Sequence, residues 1–189
     1  MRPPRLTVLA ALLASLAAAG CATDAARQPA PEITYAQAAN SELVATNYRA
    51  ADALMAQFGG NSSSGPLIVA TVVNIDALEQ SSTLGRMLSE QLSARFSQRG
   101  WQMVELKLRG SIYMRRGEGE LILTREISDI ARSNKAQAIV LGSYAIGAGA
   151  VYVNLKIVQP VSNAVLAAYD YVLPANPEVR SLLSRGTGR

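Results

Sequence analysis

The sequence predicts an α/β (α+β) domain: a mixed β-sheet of about five strands with helices packed on it, in the order α-β-α-β-α-β-β-β. Two observations carry that expectation. Up to about residue 134, segments with apolar residues three and four apart alternate with runs of β-branched residues, the pattern of strands crossed over by helices. Beyond that point three apolar segments follow one another through short turns, as neighbouring strands do.

Each element has its own signal. From Ser41 to Phe58, the residues Val44, Tyr48, Ala51, Met55 and Phe58 fall at helical spacing, and Gly59-Gly60 stops the helix. Asn61 to Pro66 is a loop. Leu67 to Ile75 is a nearly continuous apolar run rich in β-branched residues, which predicts a central strand covered on both faces. A second helix starts at about Ser82, with Leu84, Leu88, Leu92 and Phe96 four apart and Met87 beside them, and Gly100 ends it. Its other face carries Arg86, Ser89, Glu90, Ser93 and Ser97. Gly85, in its first turn, permits close approach either to the sheet or to a partner.

Trp101 to Leu108 alternates as a strand exposed on one side, and a short strand is expected around Ile112-Tyr-Met114. Thr124 is placed to cap a helix carrying Ile127, Ile130 and Ala131, with Glu126 in its first turn, closing near Asn134. Ala138-Ile-Val-Leu141 reads as a second buried strand and Gly147-Ala-Gly149 as a turn. Val151 to Val158 and Val165 to Leu173 read as two further strands joined by a turn at Pro160 to Asn163. The tail beyond Pro174 has helical spacing from Pro177 to Leu183, and no internal repeat is present.

The first 40 residues read differently. Two arginines near the start precede an uncharged run from Leu6 to Gly20, which fits a secretory signal and is too short to span a bilayer. The run ends Leu16-Ala-Ala-Ala-Gly20-Cys21, which resembles a bacterial lipobox, with Ala18 where Leu is most common. Cys21 is the only cysteine, so an internal disulfide is excluded and lipidation explains its presence in an exported chain. A soluble periplasmic protein is the alternative. The lipobox resemblance implies acyl chains on Cys21, each buried methylene worth about 0.8 kcal/mol. Ala22, rather than Asp, implies sorting to the outer membrane. From Ala22 to about Asn40 the chain is mostly Ala, Thr, Gln and Pro, too poor in large apolar residues to pack. The organisation is therefore a signal over residues 1–20, a lipidated cysteine and flexible spacer over 21–40, a domain over 41–174 and a tail over 175–189.

Composition excludes much chemistry. With no histidine and a single cysteine committed to lipid, Ser-His and Cys-His catalysis and the commonest zinc sites are ruled out. Glu118, Glu120 and Glu126 stand among Arg115, Arg116 and Arg125, which favours solvated ion pairs over a catalytic acid pair. No catalytic, cofactor-binding or metal-binding residue is assigned. Arg2 and Arg5 lie in the signal with no acid, so the formal charge of +4 falls to +2 in the mature chain, and nucleic acid is not an expected partner. Arg86, Arg95 and Arg99 form a basic stripe on the second helix, either solvated or facing an acidic partner. Tyr144, Tyr152, Tyr169 and Tyr171 lie on the last three strands, where cross-strand packing accounts for most of them and one or two are candidate interface anchors.

The segment from about Leu43 to Leu173 resembles the FlgO-like domain of flagellar outer-membrane lipoproteins. The resemblance is carried by Ser82-Thr-Leu-Gly85-Arg86, Arg99-Gly100, Val104-Glu-Leu106, Gly119-Glu-Leu121, Leu123-Thr-Arg125, Leu141-Gly-Ser-Tyr144 and Val151-Tyr-Val-Asn154. It implies a non-enzymatic structural or assembly component associated with the flagellum and motility, with the membrane, flagellar basal-body proteins or copies of itself as partners. The layout is similar also to curli-export and peptidoglycan-synthase activator lipoproteins, so the alternative is an adaptor or activator of envelope biosynthesis or export.

Overall fold

In the computed structural model, which describes residues 34, 36–37, 41–78, 80–104 and 125–184, ten elements follow one another. They are α1 (Glu42–Phe58), β1 (Leu67–Val69), β2 (Val73–Asn74), α2 (Thr83–Gln98), β3 (Met103–Val104), α3 (Arg125–Ser133), β4 (Ala138–Ile146), β5 (Ala150–Val158), β6 (Val165–Pro174) and α4 (Pro177–Ser184). The chain divides into two units, residues 1–39 and 40–189. In the first, Gln37 Oε1 accepts from the Thr34 N–H at 2.9 Å and Thr34 Oγ1 accepts from the Gln37 N–H at 3.4 Å, a reciprocal capping box for the helical residues Ala36 and Gln37. The expected signal, Cys21 and most of the spacer lie outside the described residues. So do 105–124, with the strand expected around Ile112 and the capping Thr124.

The second unit is built on a mixed sheet in the order β3-β1-β4-β5-β6, with β2 also paired to β4. β1 lies parallel to β3 and β4, β2 lies parallel to β4, and β4, β5 and β6 form an antiparallel meander. The mixed α+β class and the element order expected from the sequence are both present. α1, α2 and α4 pack on one face, around Leu54, Leu67, Leu84, Leu88, Leu92, Phe96, Val140, Val153, Leu155 and Val179. α3 packs on the other, where Ile127 and Ala131 meet Ile68, Ile139, Leu141 and Val158. β4 alternates between the two: Val140 and Tyr144 belong to the first cluster, Ile139 and Leu141 to the second, so it is buried along most of its length.

Why these helices form is plain from their buried residues. Leu84, Leu88, Leu92 and Phe96 are all fully buried, each contributing about 2 kcal/mol of burial. Ser82 caps α2, its hydroxyl accepting from the Gly85 N–H at 3.2 Å. Gly59 ends α1 in the left-handed conformation, as the Gly-Gly stop signal requires. Phe58 and Trp101 stack at 5.4 Å between ring centres and seal that end of the core.

Three details differ from the sequence expectation. The buried face of α1 is Leu43, Asn47, Ala50, Ala51 and Leu54, while Val44, Tyr48, Met55 and Phe58 are half-buried. The core face includes a polar residue, so a count of apolar positions settles one residue away from it. Met87 is exposed, and Ser89, expected on the polar face of α2, is buried. The apolar run Leu67 to Ile75 is two short strands, broken between Ala70 and Val72 for a reason found in α2.

Candidate protein-binding surface

The break is filled by side chains. The Ala70 N–H donates to Val140 O and the Ile75 N–H to Tyr144 O, so both ends of the interruption still pair with β4. Between them, the Val72 N–H donates to Ser89 Oγ at 2.8 Å, and Ser81 Oγ donates to Val72 O at 2.7 Å. Ser89 Oγ in turn donates to Gly85 O at 2.9 Å, and the Ser82 N–H donates to the Tyr144 hydroxyl oxygen at 3.2 Å. Two hydroxyls thus satisfy a buried peptide that the ladder leaves open.

Two glycines make this junction fit. A Cβ on Gly85 would lie 2.2 Å from Val72 O and 2.5 Å from Ser81 Oγ, closer than any real contact. Of the two readings of Gly85, close packing on the sheet is the one the geometry supports. A Cβ on Gly142 would meet Val72 Cγ2 at 2.7 Å and Leu155 Cδ2 at 2.8 Å, because the Val72 side chain sits in the space above it. The Ser82-to-Arg86 and Leu141-to-Tyr144 segments therefore meet in one buried structural node.

The arginine stripe divides. Arg95 holds Asp52 of α1 through Nε to Oδ1 at 2.9 Å and Nη2 to Oδ2 at 2.7 Å, and Arg99 grips the same carboxylate at 3.0 Å through both nitrogens. Side-chain hydrogen bonds from Arg95 and Arg99 hold the Asp52 carboxyl well below the usual carboxylate range, outweighing partial desolvation. The Arg95 guanidinium also lies 5.2 Å from the Tyr48 ring centre. Arg86 is exposed, and its guanidinium bonds Ser81 O and Thr83 Oγ1 at its own helix start. Two of the three candidate arginines thus clamp α2 to α1.

The four tyrosines lie on both faces of the sheet. Tyr144 and Tyr171 are buried on the side of α1 and α2. Tyr171 donates its hydroxyl to Asn47 Oδ1 at 2.8 Å, and burial pushes its pKa up from the ordinary 10.0. Asn47, fully buried, donates to Leu88 O at 2.9 Å and Gln91 Oε1 at 3.1 Å, so one amide joins α1, α2 and β6. Tyr169 is half-buried beside Tyr171, ring centres 6.4 Å apart. Tyr152 alone points the other way and is 56% exposed.

Tyr152 belongs to a surface that sequence reasoning outlined only in part. Register places Ala145, Tyr152 and Val172 in one row across β4, β5 and β6, and Ser143, Asn154 and Asp170 in the next. A third row holds Leu141, Lys156 and Ala168. On β6 the side chains of Leu166, Ala168, Asp170, Val172 and Pro174 are all exposed, while Ala167, Tyr171 and Leu173 are buried. β6 is also an edge: it pairs with β5 and, in the described sheet, with nothing beyond.

Which backbone groups that edge presents follows from one bond. The Ala175 N–H donates to Gly149 O, and these positions continue the β5–β6 register, so the odd-numbered residues of β6 bond to β5. The even-numbered residues Ala168, Asp170 and Val172 then direct N–H and C=O away from the sheet, and the alternation ends at a register shift that leaves Leu166 without a partner on β5. Two observations agree: Pro174, which has no N–H, falls on the outward set, and the Ala168 N–H reaches Gln57 Oε1 at 3.5 Å outside the ladder. The edge has the form that accepts an added strand.

Among the described residues no group of three or more acidic, histidine or cysteine side chains is placed to hold a metal ion, and no helix is long and apolar enough to cross a membrane. The family model described as "FlgO protein" matches residues 48–178. Among curated proteins none matches. The fold is similar to that of several solved structures, among them two LpoB C-terminal domains. The LpoB C-terminal domain from Salmonella enterica has a TM-score of 0.52 at 14% identity, covering 70% of this chain and 98% of that one. The LpoB C-terminal domain from Escherichia coli has a TM-score of 0.51 at 14% identity, with the same coverage.

Proposed function

This chain belongs to the FlgO family, and from that premise we propose that it is a non-enzymatic lipoprotein of the outer membrane that serves the flagellum as a structural or assembly component. Lipid on Cys21 anchors it, residues 22–40 give it reach, and the sheet domain binds an envelope or flagellar basal-body protein. The observation that carries the reading is the family match, which spans most of the unit 40–189; the uncharged run from Leu6 to Gly20 before the lone Cys21 supports the anchor. A chain with no histidine, whose partnered polar groups are committed to internal bonds at the α2 node, supports binding rather than catalysis.

The test has two arms. Mass spectrometry of the protein from cell envelopes is expected to find a diacylglyceryl thioether on Cys21, and a free thiol there would remove the anchor. Deletion of the gene in a flagellated host is expected to impair swimming, restored by the wild-type chain and not by Cys21→Ser. Normal swimming of the deletion strain would remove the flagellar role and leave an envelope adaptor.

A further inference from the structure

We propose that the edge of β6, unpaired among the described residues, is a docking site for an extended segment of a partner protein, a segment with a basic residue at its centre and apolar residues two positions to either side. The proposal rests on the protein-binding reading and specifies its chemistry.

The backbone supplies the affinity. Ala168, Asp170 and Val172 offer outward N–H and C=O groups along the regular part of β6, long enough for an incoming antiparallel strand to form three narrow pairs. Exposed edges in native proteins are shielded by charges, prolines or covering segments. Here the shielding among described residues is Asp170, Pro174 and the long contact from Gln57 to the Ala168 N–H.

The side chains supply the selectivity. Residues opposite an outward pair share its face, so the incoming strand meets Val172, Asp170 and Ala168 in turn, with Leu166 beyond them at the register shift. Val172 is 49% and Leu166 40% exposed, and Tyr152 extends the apolar row beside Val172. Asp170 accepts from Asn154 Nδ2 at 2.6 Å, and among the described residues no cation lies within ion-pair distance, although Lys156 stands diagonally across β5. A lysine or arginine opposite Asp170 completes it. The small Ala168 leaves room for a large neighbour.

The same geometry argues for a lone strand over a second copy of this chain. α1 packs on β6 from the opposite face. A symmetric β6–β6 pair would bring two such helices over adjacent strands, which sit about 4.8 Å apart where helices need 8–10 Å. A bare extended segment meets no such obstacle.

The experiment uses the full chain and two synthetic peptides, Thr-Val-Thr-Arg-Thr-Phe-Thr and the same peptide with Glu for Arg. Backbone amide shifts are expected at Ala168, Asp170 and Val172 with the arginine peptide, and binding of the glutamate peptide at least tenfold weaker. Asp170→Lys is expected to reverse that preference. Ala168→Pro, which removes an outward N–H and no ladder bond, is expected to abolish binding, with Val172→Lys as a second variant that keeps the backbone intact. Shifts away from β6, equal binding of both peptides, or no binding at millimolar peptide would overturn the proposal. So would a concentration-dependent dimer that forms through β6. None of these outcomes touches the swimming defect of the deletion strain, so the two readings fail separately.

Discussion

The α2–β4 junction and the β6 edge are both places where the β ladder is incomplete, and the protein treats them oppositely. At Val72 the missing strand partners are replaced by hydroxyls of Ser81 and Ser89, and glycines at 85 and 142 bring the pieces within contact. At β6 three outward N–H and C=O pairs remain, with one long contact to Gln57. The first is an interruption sealed within the chain, the second an edge left available. Two of the segments that carry the family resemblance, Ser82 to Arg86 and Leu141 to Tyr144, sit at the sealed one, while a third, Val151 to Asn154, places Tyr152 and Asn154 in the rows beside the open edge.

The largest effects are expected where the contrast is sharpest. Gly85→Ala places a methyl 2.2 Å from a backbone oxygen, which no rotamer change relieves, so the start of α2 must move. A loss of about 3 kcal/mol or more, or failure to fold, is expected by chemical denaturation. A stable Gly85→Ala protein would mean that the junction yields and the glycine serves an external contact after all. Asn47→Ala follows: it strands the Tyr171 hydroxyl and Gln91 in the core, and a loss of about 2–4 kcal/mol is expected. The raised pKa of Tyr171 adds a sign to check. Stability from its buried neutral form is complete below pH 10 and falls as pH rises beyond it, as thermal unfolding between pH 9 and 11 will register. Gly142→Ala, crowding Val72 and Leu155 side chains that can shift, is expected to cost about 1–3 kcal/mol.

Legibility in the sequence follows the range of the interactions. The Leu84, Leu88, Leu92 and Phe96 series and the alternation of β5 are local patterns, and both elements stand where those patterns put them. The break at Ala70 to Val72 was not legible in a nearly continuous apolar run, where Thr71 is β-branched and fits a strand, because the hydroxyls that satisfy Val72 lie 9 and 17 residues further on. Asn47 escaped for the opposite reason: a polar side chain counts against a buried face unless its partners on α2 and β6 are known. Asp52 was equally silent, an acid on a helix surface that only the fold brings under Arg95 and Arg99. The edge of β6 was foreseeable as a last strand, but which residues face outward depends on the register with β5.

Between the sealed and the open regions lies the Asp52 clamp, half exposed and of intermediate effect. Its carboxyl is held below its ordinary value of 3.8, so the clamp contributes stability above about pH 4–5 and loses it as pH falls towards the folded value. Asp52→Asn is expected to lower the melting temperature by a few degrees at pH 7, less at high salt, and to flatten the acid limb of the stability profile. An unchanged acid limb would mean that the two arginines contribute nothing net.

The smallest effect on stability is expected at the open face, and that smallness is what identifies it. Tyr152 is 56% exposed, and its ring lies against the backbone of Gly147 at the β4–β5 turn. Removing it in Tyr152→Ala uncovers that turn and little else, so the loss is expected to be about 0.5 kcal/mol. Val172→Lys, whose aliphatic stem still covers the strand, is expected to change stability by about as little. If the row across β5 and β6 meets a partner, both substitutions will nevertheless weaken swimming or peptide binding while unfolding curves stay put. A large stability loss from either one would instead make the row part of the core, covered by the protein itself, and the difference between a sealed and an open ladder would disappear.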